Sequence, residues 1–450
     1  MHLTLSLCLL SAATLPACPL TQEPEQPPQL LAAPPPPPPP EGWYALQDAE
    51  NKLLSSRRNW HDWFMHVYPV NTELGWQHYG WTQQLGMGVK QAAQERKPLV
   101  LWLGNGHPLG ATSPAGLAMR EVWVSASVTP LMDKLFPVAD DLARLQNSTD
   151  PEAEYLRSVL AQEETTASWS DGGVVVLSPS GMLLASCSQA AAQEDLAATL
   201  QKGLEAWQDL DSATRIAVDA AKLEAPTRLE NSFPHDGLAL EVFLRDMPTT
   251  EGEIPVVSEV PRQEMWSRDY LWFSREEMLS ILPSDNFRSR EGHEIPGPLA
   301  SRLARLALHD HLYGQGTPYA ASDVALASIT LRPSASTKTH RHFMIQGEVI
   351  LTHEDSDPQY GIKVTLWGRA QWDRKREHFS LMEILGEGMR LGAEPNSGRA
   401  QRNVGIAERP LGFALRMVMA RDGWHQVPPS TFSQYPEGWP VGTEEATEAH

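Results

Sequence analysis

Cysteine is scarce in this chain. Three occur in 450 residues, Cys8, Cys18 and Cys187, too few for a disulfide framework. The Gly-rich phosphate loop, the dinucleotide fingerprint, the GxSxG elbow and the HExxH zinc helix are all absent. Their absence removes the commonest signatures of nucleotide, nicotinamide, serine-hydrolase and zinc-protease chemistry. Positive charge is also in deficit. Lys and Arg number 36 against 56 Asp and Glu, a formal net charge of −20. That balance argues against a general nucleic-acid binder or a protein drawn to an anionic membrane. No hydrophobic run is long enough to span a bilayer.

What is present begins with an apolar run, Leu3 to Leu15, ending at small residues. It has the shape of a signal peptide, assigned to residues 1–17, although the run has no preceding Lys or Arg. "Leu15-Pro16-Ala17-Cys18" resembles a bacterial lipobox, which makes Cys18 a lipidation candidate. Cys8 would leave with the leader and Cys18 would be lost or lipidated, so Cys187 would be the one thiol left. Residues 18–42 form a Pro-rich linker containing seven consecutive prolines, an extended polyproline spacer. Residues 43–81 are rich in aromatics, with Trp60, Trp63, Phe64, Trp76, Tyr79 and Trp81 expected to cover a face of the domain that follows. The length and the 41% hydrophobic content allow two or three cored domains.

From residue 82 the pattern becomes α/β. Val89, Ala92 and Ala93 give a helical face that stops at Lys97-Pro98. "LVLWL" reads as a strand buried on both sides, because it is apolar without alternation. "GGVVVLSPSGMLLAS" reads as two strands around a Pro179-Ser180-Gly181 turn. Leu196, Leu200, Leu204 and Trp207 then share a face of a closing helix.

This succession resembles the thioredoxin superfamily, in particular its bacterial extracytoplasmic branch. Superposing "VLWLGNGHPL" on that family's strand and active-site turn puts Gly106 and Leu109 at the two cysteine positions, with His107 and Pro108 between them. Gly173 falls where the family has its cis-proline. The resemblance implies a thioredoxin-like domain at 82–210 without the CxxC motif. Disulfide exchange needs a low-pKa thiolate at a helix N-terminus and a resolving thiol, and neither is supplied. The turn could still offer backbone amides to an anion, with His107 as donor or general acid–base. Otherwise it is a plain turn with Pro108 starting the helix.

Residues 232–430 read as an α+β domain dominated by an antiparallel sheet. "LALEVFLRDM" is strand-like, Ser274 to Glu277 forms a capping box, and Leu299, Leu303, Leu306 and Asp310 fall on one helical stripe. Ile362, Val364 and Leu366, and Phe413, Leu415 and Met417, alternate as in half-buried strands, with Asp373 to Glu377 a hairpin loop. His309 and His311, placed on a helix, would not share a face. His340 and His342, two apart on a strand, would, and are the weak metal candidates, although a zinc site needs three or four ligands. "THEDSD" lacks calcium-loop spacing. Residues 431–450 read as a disordered tail.

The sequence therefore predicts an exported, periplasmic or envelope-associated protein without thiol–disulfide activity and with a role in binding or assembly. The alternative is an envelope enzyme or a thiol-redox-related protein using His107 at the degenerate active-site turn. No cofactor is called for. The expected partner is a protein or a small anionic ligand, not nucleic acid, with membrane attachment only through a lipidated Cys18.

Overall fold

The computed structural model describes residues 54–162, 165–168, 170, 172–247, 265–283, 292–353, 360–392, 409–418, 423–436 and 439. The residues assigned to a signal peptide (1–17), Cys18 and the Pro-rich stretch 18–42 lie outside the described residues.

Two sheets organise the chain. The first is mixed and four-stranded, built from β1 (Leu99–Gly104), β2 (Phe136–Asp141), β3 (Gly173–Leu177) and β4 (Leu183–Ser188) in the order β2-β1-β3-β4. β2 runs parallel to β1, whereas β3 is antiparallel to both β1 and β4. Every residue of β1 is buried, as its unbroken apolar run requires. Leu99, Leu101 and Leu103 share a core with Leu85 and Val89 of helix α2 (Leu85–Glu95) and with Leu156 of a helix spanning Pro151–Leu160. Val100 and Trp102 share the opposite core with Met119 and Trp123 of α3 (Pro114–Trp123), and with Leu200 of the long closing helix Gln189–Asp209. Helices thus cover both faces of the sheet.

The second sheet is eight-stranded and antiparallel. Its strands are β5 (Leu238–Asp246), β6 (Trp266–Phe273), β7 (His293–Glu294), β8 (Val324–Ser336), β9 (His340–His353), β10 (Tyr360–Asp373), β11 (His378–Leu391) and β12 (Arg409–Met417). Their order is β6-β5-β12-β11-β10-β9-β8-β7. The helix Gly297–Ala307 packs against β6 at one end of this order and against β8 and β9 near the other. Strands are spaced by about 4.8 Å and a helix is about 10 Å wide, so this is possible only if the sheet curls around it. Ile362, Val364, Leu366, Phe413 and Leu415 are buried in the core that this curvature encloses.

Local signals behave as their chemistry dictates. Ser274 and Glu277 exchange both hydrogen bonds of a capping box, and the helix they open, Arg275–Ile281, stops before Pro283. Leu299, Leu303 and Leu306 are buried along the Gly297–Ala307 helix. Asp310 falls past the end of that helix, in an irregular turn with His309 and His311.

The aromatic extension departs from expectation. Helix α1 (Trp60–Val67) packs not on the mixed-sheet unit but on the outer face of the large sheet, where Trp60, Trp63 and Phe64 meet Phe243, Leu385 and Ala414. Glu387 on β11 accepts the backbone N–H groups of Leu54 and Ser55 at 2.6 and 2.7 Å. Only the later part of the extension reaches the mixed sheet, with Trp76 edge-on and Trp81 tilted against Trp102. The tail differs as well. Tyr435 and Trp439 are buried, and the Trp439 indole N–H donates to Ser232 O at 3.2 Å. The described part of 431–450 is therefore packed, because its aromatics have a core to enter. Trp102, Leu200, Leu240, Tyr270 and Leu306 belong to one buried cluster, so the two sheets share a continuous interior.

Candidate functional site

The turn after β1 is where the sequence placed the chemistry. β1 ends at Gly104, but α3 does not begin at Pro108. It begins at Pro114, where Ser113 Oγ accepts the Gly116 N–H at 3.3 Å as N-cap. Ser113-Pro114 is the N-cap and first-turn pair the helix uses, and residues 105–113 form a separate closed loop. Ser113 N donates to Asn105 O at 2.9 Å, and Gly110 N donates to His107 O at 2.8 Å. Gly106 and Thr112 form an antiparallel bridge. Arg120, in the last turn of α3, sends a single nitrogen to the carbonyls of Pro108 and Gly110 at 3.0 and 2.8 Å. Neither Gly106 nor Leu109 sits at a helix N-terminus, so neither position has the setting that stabilises a thiolate.

Residues 106–112 are all buried. What covers them comes from the C-terminal half of the chain. The side-chain amide of Gln315 lies against Gly106, and Val427 lies against Gly110. Tyr270 OH is 3.5 Å from Leu109 O. The guanidinium of Arg120 is held between the rings of Trp76, at 5.0 Å, and Trp266, at 5.1 Å. Gln83 Nε2 approaches Gln426 Oε1 at 3.4 Å.

His107 is 3% exposed. Its Nδ1 accepts the Leu109 N–H at 3.1 Å, and its Nε2 faces Gln83 O at 3.5 Å. Burial, reinforced by the Arg144 and Arg228 guanidinium groups, holds its pKa well below the usual imidazole range. The ring is therefore a neutral acceptor fixed inside the loop. It takes up the Leu109 amide that an anion would have needed.

Gly173 opens β3 with φ of +152°, and a β-carbon there would stand 2.4 Å from Cys187 O. No proline fits this backbone. Cys187 is buried, and burial pushes its thiol pKa up.

Two polar clusters flank the turn, and neither was foreseen in the sequence. In the first, Arg228 reaches Asp140 at 3.0 Å, Glu152 at 3.1 Å and Glu230 at 3.0 Å. One guanidinium serves three buried carboxylates. Burial, partly offset by Arg228 and reinforced by Glu152 and Glu230, pushes Asp140 up to about 7. Burial opposes the charge on Arg228, but Asp140, Glu230 and Glu152 outweigh it and hold the guanidinium protonated. In the second, His309 and His311 lie beyond their helix, not on it, with ring centroids 5.1 Å apart. His311 Nδ1 is 2.8 Å from Ser267 Oγ, and His309 Nε2 is 3.1 Å from Gln315 O. Burial first, then His309 and Arg120, lowers the His311 pKa well below its usual value. One signal was available beforehand: Arg120 interrupts the apolar face formed by Leu117, Met119 and Trp123.

His340 and His342 do come together, with ring centroids 6.4 Å apart. His340 contacts Thr339 Oγ1 at 2.9 Å and Asp373 Oδ2 at 3.8 Å. Among the described residues no group of three or more His, Cys, Asp or Glu side chains is arranged to hold a metal ion, and none of the helices is long and apolar enough to cross a membrane.

No family model, curated protein or solved structure matches this chain. Function therefore rests on the geometry alone.

Proposed function

We propose that residues 82–210 are a redox-silent thioredoxin-like module whose former active-site turn is the dock for the β-rich part of the same chain. The exported protein then acts in binding or assembly, not in thiol–disulfide exchange. The order of elements supports the family reading: α2, β1, α3, the β3–β4 hairpin and the closing helix occur as that resemblance implies, with β2 and the helix Pro151–Leu160 between α3 and the hairpin.

The observation that carries the proposal is the burial of residues 106–112 beneath Tyr270, Gln315 and Val427. A site for an external substrate needs access and unspent polar groups, and this turn has lost the first and spent its key groups internally. The alternative, an enzyme using His107, is disfavoured by the same burial and by the occupied Nδ1. Insulin reduction by the purified chain tests the reading. Turnover at background level is expected, and clear turnover would refute it.

A further inference from the structure

The chain is strongly acidic as a whole, yet one end of the large sheet is not. The β8–β9 turn and the β10–β11 turn lie side by side there, because β9 pairs with β10 and Arg374 N donates to Thr339 O at 2.9 Å. Together they bring Lys338, Arg374, Lys375 and Arg376 to one tip. All but Arg374 are exposed, and Arg374 is half-buried. Two carboxylates share this tip. Asp373 is largely consumed in the turn, accepting the backbone N–H groups of Lys375 and Arg376 at 2.8 and 3.1 Å. Glu377 pairs with Arg275 at 3.3 Å. The Arg374 guanidinium also reaches Ser336 Oγ at 3.3 Å, which braces one hairpin on the other.

We propose that this two-hairpin tip is an electrostatic contact surface for an anionic phospholipid bilayer. The net charge of −20 argues against attraction of the chain as a whole, but a contact is governed by the local charge. At physiological ionic strength charges are screened over about 8 Å, so a surface touching the tip senses its four cations and little of the acidic remainder. Basic residues next to an anionic leaflet each add about fivefold to binding. A bilayer fits better than single-stranded nucleic acid, since no aromatic side chain stands among residues 332–342 or 373–378 other than histidines, and stacking platforms are what such strands require. The tip belongs to the large sheet, so the proposal is independent of how the mixed-sheet unit is read.

The test is co-sedimentation of the full chain with vesicles at about 0.15 M salt. One set is phosphatidylcholine alone; the other contains phosphatidylglycerol and phosphatidylcholine at about 1:2. With Cys18 unlipidated, the chain should bind the anionic set and not the neutral one. Lys375→Glu combined with Arg376→Glu should weaken binding by about 25-fold or more while leaving the thermal melt unchanged, since both side chains are exposed. Equal binding to both vesicle sets, no binding to the anionic set, or unchanged binding by the double variant would each overturn the proposal. So would tighter binding to duplex DNA than to anionic vesicles at the same salt.

Discussion

Gln315 occupies the space that any side chain on Gly106 would need. A β-carbon at Gly106 would lie 2.2 Å from Gln315 Nε2, and the backbone there has φ of +77°. Ala111 O would stand at 2.5 Å as well, so Gly106 is held from within its own loop and from one more than two hundred residues away. Gly106→Ala should cost about 2–4 kcal/mol, combining the left-handed backbone penalty with overpacking. A chemical-denaturation midpoint measures it, and a loss below about 0.5 kcal/mol would mean that the contact yields easily.

Arg120 ties the turn to both sheets at once. Arg120→Met keeps much of the volume and the aromatic contact but leaves the carbonyls of Pro108 and Gly110 without their buried donor. A loss of about 2–4 kcal/mol is expected. Trp76 and Trp266 flank the guanidinium, so tryptophan emission should shift as well. Unchanged stability and unchanged emission would contradict the clamp.

The buried imidazoles set an acid limit. His107 and His311 have folded pKa values depressed well below the ordinary value, so the unfolded chain takes up their protons first. Their contribution to stability is present above about pH 6.5 and is lost as the pH falls through their folded values. Asp140 acts in the opposite sense: its folded value is raised to about 7, so its contribution is greatest in acid and declines as the pH rises from about 4 to 7. His311→Gln should therefore lose stability at pH 8, and the gap to wild type should narrow on going to pH 5, by up to about 1.4 kcal/mol per pH unit. Denaturation midpoints across pH check the sign, and a gap that widens in acid would be the contrary result.

Arg228 is the counter-charge for Asp140, Glu152 and Glu230. Arg228→Met should cost about 3–5 kcal/mol, because it strands buried carboxylates. Adding Asp140→Asn should recover part of that loss, since one fewer charge then remains buried. A double variant no more stable than Arg228→Met would show that the cluster is not held by charge pairing.

Much of the fold can be read locally. β1 is legible because both of its faces are buried, and the β3–β4 turn because Pro179 and Gly181 suit its geometry. The large sheet is legible from alternation such as Ile362, Val364 and Leu366. β2 is not, since Pro137 breaks its pattern and Asp140 and Asp141 resemble a solvated end. Asp140 is buried against Arg228, which arrives from far along the chain, whereas Asp141 caps the helix it precedes and pairs with Arg144. The helix start went astray because Pro108 and Pro114 are both plausible first-turn prolines, and only the loop closure by Thr112 and Ser113 selects Pro114. The closure of the turn is not legible at all. Gln315, Tyr270 and Val427 carry no local mark of what they cover.

The most direct test of the central claim is amide hydrogen exchange in the full chain over residues 105–113. If the turn is an internal dock, its amides should exchange nearly as slowly as those of β1, with release only on global unfolding. Exchange at the rate of an exposed loop would mean that the turn is open, and that the account of it as a closed internal contact is wrong.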